Sequence, residues 1–167
     1  MRVLLPWLTA ALVLVADRLS KLAVLDAVRP GSWIPVVPGL AITHVHNTGI
    51  AFSLFSDGGR MTRLLLNLFI MLAVVLIAWM VVRHGASHWT AGLAFGLVLG
   101  GAVGNLVDRI LYGWVVDFIH VWVRLGDRVW SWPDFNVADS AITVGAITLI
   151  ISELRGPREG TNAPDPD

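Results

Sequence analysis

The sequence predicts an all-α integral membrane protein: four transmembrane helices, with a small β-rich cradle and a second long loop on one face. Three observations point there. The 167 residues are 56% hydrophobic and only 14% charged, against about 25% charged in an average soluble domain; the mean hydropathy is +0.72. Two uncharged runs, residues 64–82 (LLLNLFIMLAVVLIAWMVV) and 89–107 (WTAGLAFGLVLGGAVGNLV), are each long enough to cross roughly 30 Å of hydrocarbon. Two further apolar runs of similar length are interrupted by charges. The length suits one domain, 1–155, with a short tail over 156–167.

The first span, about 3–25, contains Asp17, Arg18 and Lys21. Its uncharged part covers only 14 residues, short enough for a cleaved signal peptide. Against that, the leading segment has Arg2 alone, the small-x-small cleavage pattern is poor, and the apolar pattern resumes after Lys21. Asp17 and Lys21 stand at i, i+4, the spacing of an ion pair on one helix face. In the loop 27–60, Leu40, Ile42, Thr43 and Val45 give the alternation of a strand, and Asn47-Thr48-Gly49 reads as a turn. Ile50, Phe52, Leu54 and Phe55 continue the loop as an apolar surface.

The second span, 62–83, is uncharged from 64 to 82. The third, 89–111, has Gly92, Gly96, Gly100 and Gly104 on one stripe, which lets a neighbouring helix approach closely. Asn105, Asp108 and Arg109 share a face at i, i+3, i+4. The loop 112–134 holds Trp114, Trp122, Trp130 and Trp132 and reads as a hairpin around Gly126-Asp127; its tryptophans suit a membrane–water boundary. The fourth span, 136–154, has Asp139 one turn in. The tail is polar, Pro/Gly-rich and expected to be disordered.

An up-down-up-down order brings Asp17, Lys21, Asn105, Asp108, Arg109 and Asp139 to one face, with both long loops. Arginines do not orient the bundle. Arg2, Arg83, Arg155 and Arg158 lie on the face with the termini, and Arg29, Arg60, Arg63, Arg124 and Arg128 on the other. Formal charge is zero and cysteine is absent. Nothing therefore points to nucleic-acid binding, and disulfides, thiolate catalysis and cysteine metal sites are excluded. There is no GxSxG or GxGD motif. His44 and His46 share a strand face but lack a third ligand, so no metal and no cofactor is expected. His84 and His88 fall on the opposite face, and His120 reads as a solvated loop histidine.

Polar groups at membrane depth need a partner or a task. Asp26, Asp57, Asp127 and Asp134 read as solvated loop acids, and Asp165 and Asp167 belong to the tail. Asp17 has Lys21, and Asp108 has Arg109. Asp117, between VV and FI, and Asp139, between Ala138 and Ser140, have no adjacent cation. Two such carboxylates brought together cannot both ionise easily, and they hold a shared proton. The ionised member takes a proton from water while the protonated one polarises a carbonyl. A purely structural pair of hydrogen-bonded acids is the plainer alternative.

Five blocks then stand in order: DRLSK (17–21), NTGIAF (47–52), GGAVGNLVDR (100–109), VVDFI (115–119) and FNVADSAI (135–142). With these the chain resembles the bacterial lipoprotein signal peptidase (signal peptidase II) family. The resemblance implies an aspartyl endopeptidase of the bacterial inner membrane. It would cleave diacylglyceryl-modified prolipoproteins on the N-terminal side of the lipidated cysteine. It implies Asp117 and Asp139 as the catalytic pair and Asn47, Gly49, Asn105, Asp108, Arg109 and Asn136 as supporting residues, with Asp17 and Lys21 structural. It also implies cytoplasmic termini and an active site near the extracytoplasmic face. Arg18 stands where the family commonly has Gln, and Ile50 where it has Ala.

On this picture Asn47, Asn105 and Asn136 hydrogen-bond an extended substrate, Arg109 orders Asp108 and the loops, and the loop 27–60 cradles the cleavage segment. The partners expected are lipidated precursors and membrane lipid; the protein itself is expected to be a monomer. The reading from a different class is a proton-coupled transporter or channel subunit. A transporter site belongs near the midplane, and here the polar residues gather at one end. A structural scaffold is a third reading.

Overall fold

The computed structural model describes residues 2–49, 60–84 and 88–154. Helix α1 spans Leu5–Ala27, with Pro6 in its first turn, where the missing N–H costs no helical bond. Strands β1 (Trp33–Val37) and β2 (Leu40–Asn47) follow. Helices α2 (Arg60–His84) and α3 (Trp89–Tyr112) come next, then β3 (Val115–Leu125), β4 (Arg128–Ser131) and α4 (Val137–Leu154). The expected spans agree with these helices to within two residues at each end. The apolar residues Ile50, Phe52, Leu54 and Phe55, with Asp57 and the tail 156–167, lie outside the described residues.

Among the described residues, three helices are long and apolar enough to cross a membrane: Leu64–His84, Trp89–Tyr112 and Val137–Leu154. The chain is an integral membrane protein. Helix α1 has comparable length, and its outward residues Leu8, Leu12, Val15 and Leu19 are exposed. It differs in carrying four charged residues in its second half, Asp17, Arg18, Lys21 and Asp26, of which Asp17 and Lys21 are buried.

Helix α3 is central and packs against α1, α4 and α2. Its glycines explain how closely. A Cβ on Gly100 would lie 2.6 Å from the Ala10 carbonyl oxygen, and one on Gly101 would lie 2.4 Å from that of Ala138. The stripe expected from sequence therefore faces α1, while Gly101, off that stripe, admits the start of α4. Ala10, Val81, Phe95 and Leu99 form the core between α1, α2 and α3. The helix stops at Gly113, whose φ of 80° is left-handed and whose N–H reaches the Arg109 carbonyl oxygen at 3.0 Å, a conformation that glycine adopts without penalty.

The two loops, expected as separate structures, form one antiparallel sheet in the order β1-β2-β3-β4. The β3–β4 hairpin turns at Gly126 (φ 61°), as its sequence predicts. The central pairing of β2 with β3 joins residues far apart in sequence, from Leu40↔Val121 to Asn47↔Val115, and periodicity carries no signal of it. A bulge between Ile42 and Val45 interrupts this ladder. It buries both Thr43 and His44, neighbours that a regular strand would send to opposite faces. Val24 and Val28 of α1 pack with Val116 and Phe118 of β3, seating the sheet on the end of the bundle.

Candidate active site

The first turn of α4 is closed by its own sequence. Asn136 Oδ1 accepts from the Asp139 N–H at 2.9 Å, and Asp139 Oδ2 accepts from the Asn136 N–H at 3.2 Å. This reciprocal pair is a capping box, which satisfies backbone donors left open at a helix start. Asp17 Oδ1 accepts from the Ala138 N–H at 2.9 Å, so a side chain of α1 completes the cap.

The Asn136 side chain faces two ways. Its Nδ2 donates to Asp117 Oδ1 at 2.8 Å, to the Val116 carbonyl at 3.3 Å and to Asn105 Oδ1 at 3.2 Å. One asparagine thereby joins the carboxylate of β3 to the cap that holds Asp139. The other oxygen of Asp117 accepts from Asn47 Nδ2 at 2.9 Å. Asn47 is oriented by its own turn, since its Oδ1 accepts from the Gly49 N–H at 2.9 Å. The Gly49 carbonyl accepts from Arg109 Nη2 at 2.6 Å, and Arg109 Nη1 donates to the Asn105 carbonyl at 3.2 Å. Asn105 Nδ2 donates to Asp139 Oδ1 at 2.7 Å.

Behind this layer lies Lys21, with no exposed surface. Its ammonium contacts Asp17 at 2.8 Å, Asp108 at 2.9 Å and Asn105 Oδ1 at 2.9 Å. Asp108 also accepts from the Val116 N–H at 3.2 Å and from Arg18 at 3.3 Å. Among the described residues, no buried side-chain nitrogen or oxygen lacks a partner.

Asp117 is 2% exposed. Burial, and then the nearby Asp139 carboxylate, push its pKa up from 3.8 to about 7, against the hydrogen bonds from Asn47 and Asn136 and the positive charge of Lys21. An acid titrating near neutrality beside a second carboxylate can donate and accept protons under physiological conditions.

All ten site residues singled out from the sequence, nine polar side chains and Gly49, meet in this cluster, with several partners different from those expected. The amides of Asn47, Asn105 and Asn136 are engaged with the carboxylates themselves rather than held open for a peptide backbone. Asp108 is paired with Lys21 and Arg18, not with its neighbour Arg109, because adjacent helical residues diverge by about 100°. Arg18, whose direction the sequence left open, reaches Tyr112 Oη at 2.7 Å as well as Asp108. Asp134 is not a solvated loop acid. It accepts from Thr43 Oγ1 at 2.9 Å and pairs with His120, which is likewise partly buried. His44 and His46 face each other, Nε2 to Nε2, at 3.1 Å, and His44 Nδ1 bonds the Val28 carbonyl, tying β2 to the end of α1. Among the described residues no three His, Asp or Glu side chains are arranged to hold a metal.

Comparison with known proteins agrees with the motif blocks. The sequence model of the Signal peptidase (SPase) II family matches residues 9–155. The lipoprotein signal peptidase of Paraburkholderia phymatum is 40% identical over 156 residues, covering 93% of this chain and 91% of that protein. Those of Burkholderia mallei and Burkholderia pseudomallei are 39% identical over the same shares. Two solved structures of bacterial membrane enzymes, obtained by the in meso method, superpose with TM-scores of 0.76 and 0.75 at 28% and 29% identity. They cover 96% and 90% of this chain, and 94% and 93% of their own.

Proposed function

The chain belongs to the signal peptidase II family and removes signal peptides from prolipoproteins; we propose that it does so as an aspartic endopeptidase whose reacting pair is Asp117 and Asp139. The observation that carries the reading is the asparagine-linked pair of a buried Asp117 and a half-buried Asp139, in which Asp117 is pushed up to about 7. Near neutral pH the two carboxylates hold one proton between them. The ionised carboxylate draws a proton from a water as it attacks the scissile carbonyl, and the shared proton goes to the carbonyl oxygen. Collapse of the tetrahedral intermediate returns a proton to the leaving amine. Asn47, Asn105 and Asn136 hold the carboxylates in place, and Arg109 fixes the Asn47 turn through Gly49.

The substrate is a diacylglyceryl-modified precursor, cut on the N-terminal side of the lipidated cysteine. Helix α1 completes a set of four spans. Its Asp17 and Lys21 are neutralised internally by the network they share with Asp108, which lowers the cost of placing them at the membrane boundary. The termini are cytoplasmic, and the sheet and the pair lie near the extracytoplasmic face of the inner membrane. The protein acts as a monomer, in contact with membrane lipid. Transport is disfavoured because the polar residues gather in the half of the bundle that carries the sheet.

The test is cleavage of a diacylglyceryl-modified prolipoprotein by the purified protein. Wild type cleaves, while Asp117→Asn and Asp139→Asn, folded in detergent, each lose at least about 10³-fold in kcat. Substantial activity in either variant would remove that residue from the chemistry. An inactive wild type, together with solute flux in reconstituted vesicles, would favour the transporter.

A further inference from the structure

We propose that Asp134 is a positioning residue: its carboxylate, tied to Thr43 and His120, locks the register of the segment that brings Asn136 and Asp139 to Asp117. The inference rests on the reading of Asp117 and Asp139 as the reacting pair.

The argument begins with the backbone. The pairing of β4 with β3 starts at Leu125↔Arg128 and runs to Trp122↔Ser131. It continues with the Trp132 N–H on the Val121 carbonyl at 2.8 Å. The next contact is an isolated bridge, Ile119↔Phe135. A regular ladder would set Ile119 against Asp134, so one extra residue has entered at Pro133-Asp134. Proline has no N–H for the ladder, which favours irregularity there. Beyond the bulge, Phe135 is held by three backbone bonds: its carbonyl accepts from Phe118 and Ile119 at 3.0 and 2.8 Å, and its N–H donates to Ile119 at 3.1 Å.

A bulge next to a short bridge is a place where register can slip. A slip of one residue sends each side chain to the opposite face. Here it would turn Asn136 away from Asp117 and carry the cap of α4 with it. The side chain inside the irregularity opposes that slip. Asp134 Oδ2 accepts from Thr43 Oγ1 at 2.9 Å, and Oδ1 meets His120 Nδ1. Thr43 lies in another irregularity of the sheet, the bulge of β2 between Ile42 and Val45. Two departures from regular pairing, this one and the one at Pro133-Asp134, therefore converge on one carboxylate, which spans β2, β3 and the approach to α4. Trp33 packs against the His120 ring, with centroids 5.2 Å apart, and shields the tie.

The experiment compares wild type, Asp134→Ala, Asp134→Asn and Asp127→Asn as full-length protein in lipid nanodiscs. It reads kcat and KM for the lipidated precursor, and amide hydrogen exchange at Phe118, Ile119 and Phe135. Misplacement of a reacting group by about 1 Å costs up to about 10²-fold. Asp134→Ala is expected to lower kcat by roughly tenfold with KM within about twofold, and to speed exchange at the three amides. Asp134→Asn, which keeps an acceptor and a donor in place, recovers most of both. Asp127→Asn, in the exposed hairpin turn, matches wild type. Unchanged kcat or unchanged exchange in Asp134→Ala overturns the inference. A wild type that never cleaves, with exchange still accelerated in Asp134→Ala, refutes the catalytic reading and leaves the register lock standing.

Discussion

At the scale of the residue, Asp117 shows how a carboxylate is kept protonatable near pH 7. Its two side-chain partners, Asn47 and Asn136, are neutral donors, so nothing in direct contact supplies a full positive charge. The folded pKa of about 7 lies above the ordinary 3.8, so the folded state binds the proton more tightly. The contribution of Asp117 to stability is then fully present below about 4 and is lost as pH rises through about 7, by at most ~4 kcal/mol. The thermal unfolding midpoint of wild type in detergent should therefore fall relative to that of Asp117→Asn between pH 4 and 8. Parallel curves would mean that Asp117 titrates as an ordinary carboxylate. Cleavage should lose rate on the alkaline side of about pH 7, where the shared proton departs. The sequence singled out Asp117 and Asp139 because neither has a cation beside it in the chain. It did not show what the asparagines hold, because hydrogen-bond partners from four different elements are settled only by tertiary packing. One signal was there and went unread: N-x-x-D at Asn136 and Asp139, ahead of an apolar run, is a helix-start signature. Asp134 was misread as solvated because its partners Thr43 and His120 come from strands whose pairing leaves no local trace.

At the scale of the element, α3 is shaped by two close approaches. Replacing glycine by alanine inside a helix normally gains up to about 1 kcal/mol in propensity. At Gly101 the added methyl would sit 2.4 Å from a backbone carbonyl and 2.8 Å from Ile142 Cγ1, and the clash outweighs the gain. Gly101→Ala should destabilise the protein by about 1–3 kcal/mol. It should also reduce cleavage, because the carbonyl it strikes belongs to Ala138, next to Asp139. Unfolding midpoints and cleavage rates, read together, check both effects. The stripe at Gly92, Gly96, Gly100 and Gly104 announced that a neighbour would approach α3 closely, and in the structure that neighbour is α1. The second approach was hidden, since a lone glycine carries no period. Helices α2 and α3 were legible as long uncharged runs, α1 and α4 as apolar runs interrupted by charges, and the β3–β4 hairpin as alternation around Gly-Asp. Strand β1 was missed because WIPVV has no alternation, being exposed at every position.

At the scale of the whole molecule, Lys21 binds the bundle together. It joins acids of α1 and α3, and Asp17 passes the link to the start of α4. Removing one partner from a buried ion cluster costs about 3–5 kcal/mol, because the remaining charge is uncompensated. Lys21→Met should therefore lose about that much stability. The triple variant Lys21→Met, Asp17→Asn, Asp108→Asn should recover part of it, as measured by denaturation in detergent. No recovery would mean that Lys21 acts through packing rather than charge. The convergence of these residues followed from counting spans in an alternating bundle, without any knowledge of contacts. The same knot also sets an order in time. A ribosome delivers α1 first, and Lys21 meets Asn105 only 84 residues later. Asp17 waits a further stretch, for Ala138, 121 residues beyond it. The helix made last brings both that final hydrogen bond and Asp139. A chain whose synthesis has not reached α4 lacks Asp139 and, on the proposed reading, has no reacting pair with which to cut the precursors around it.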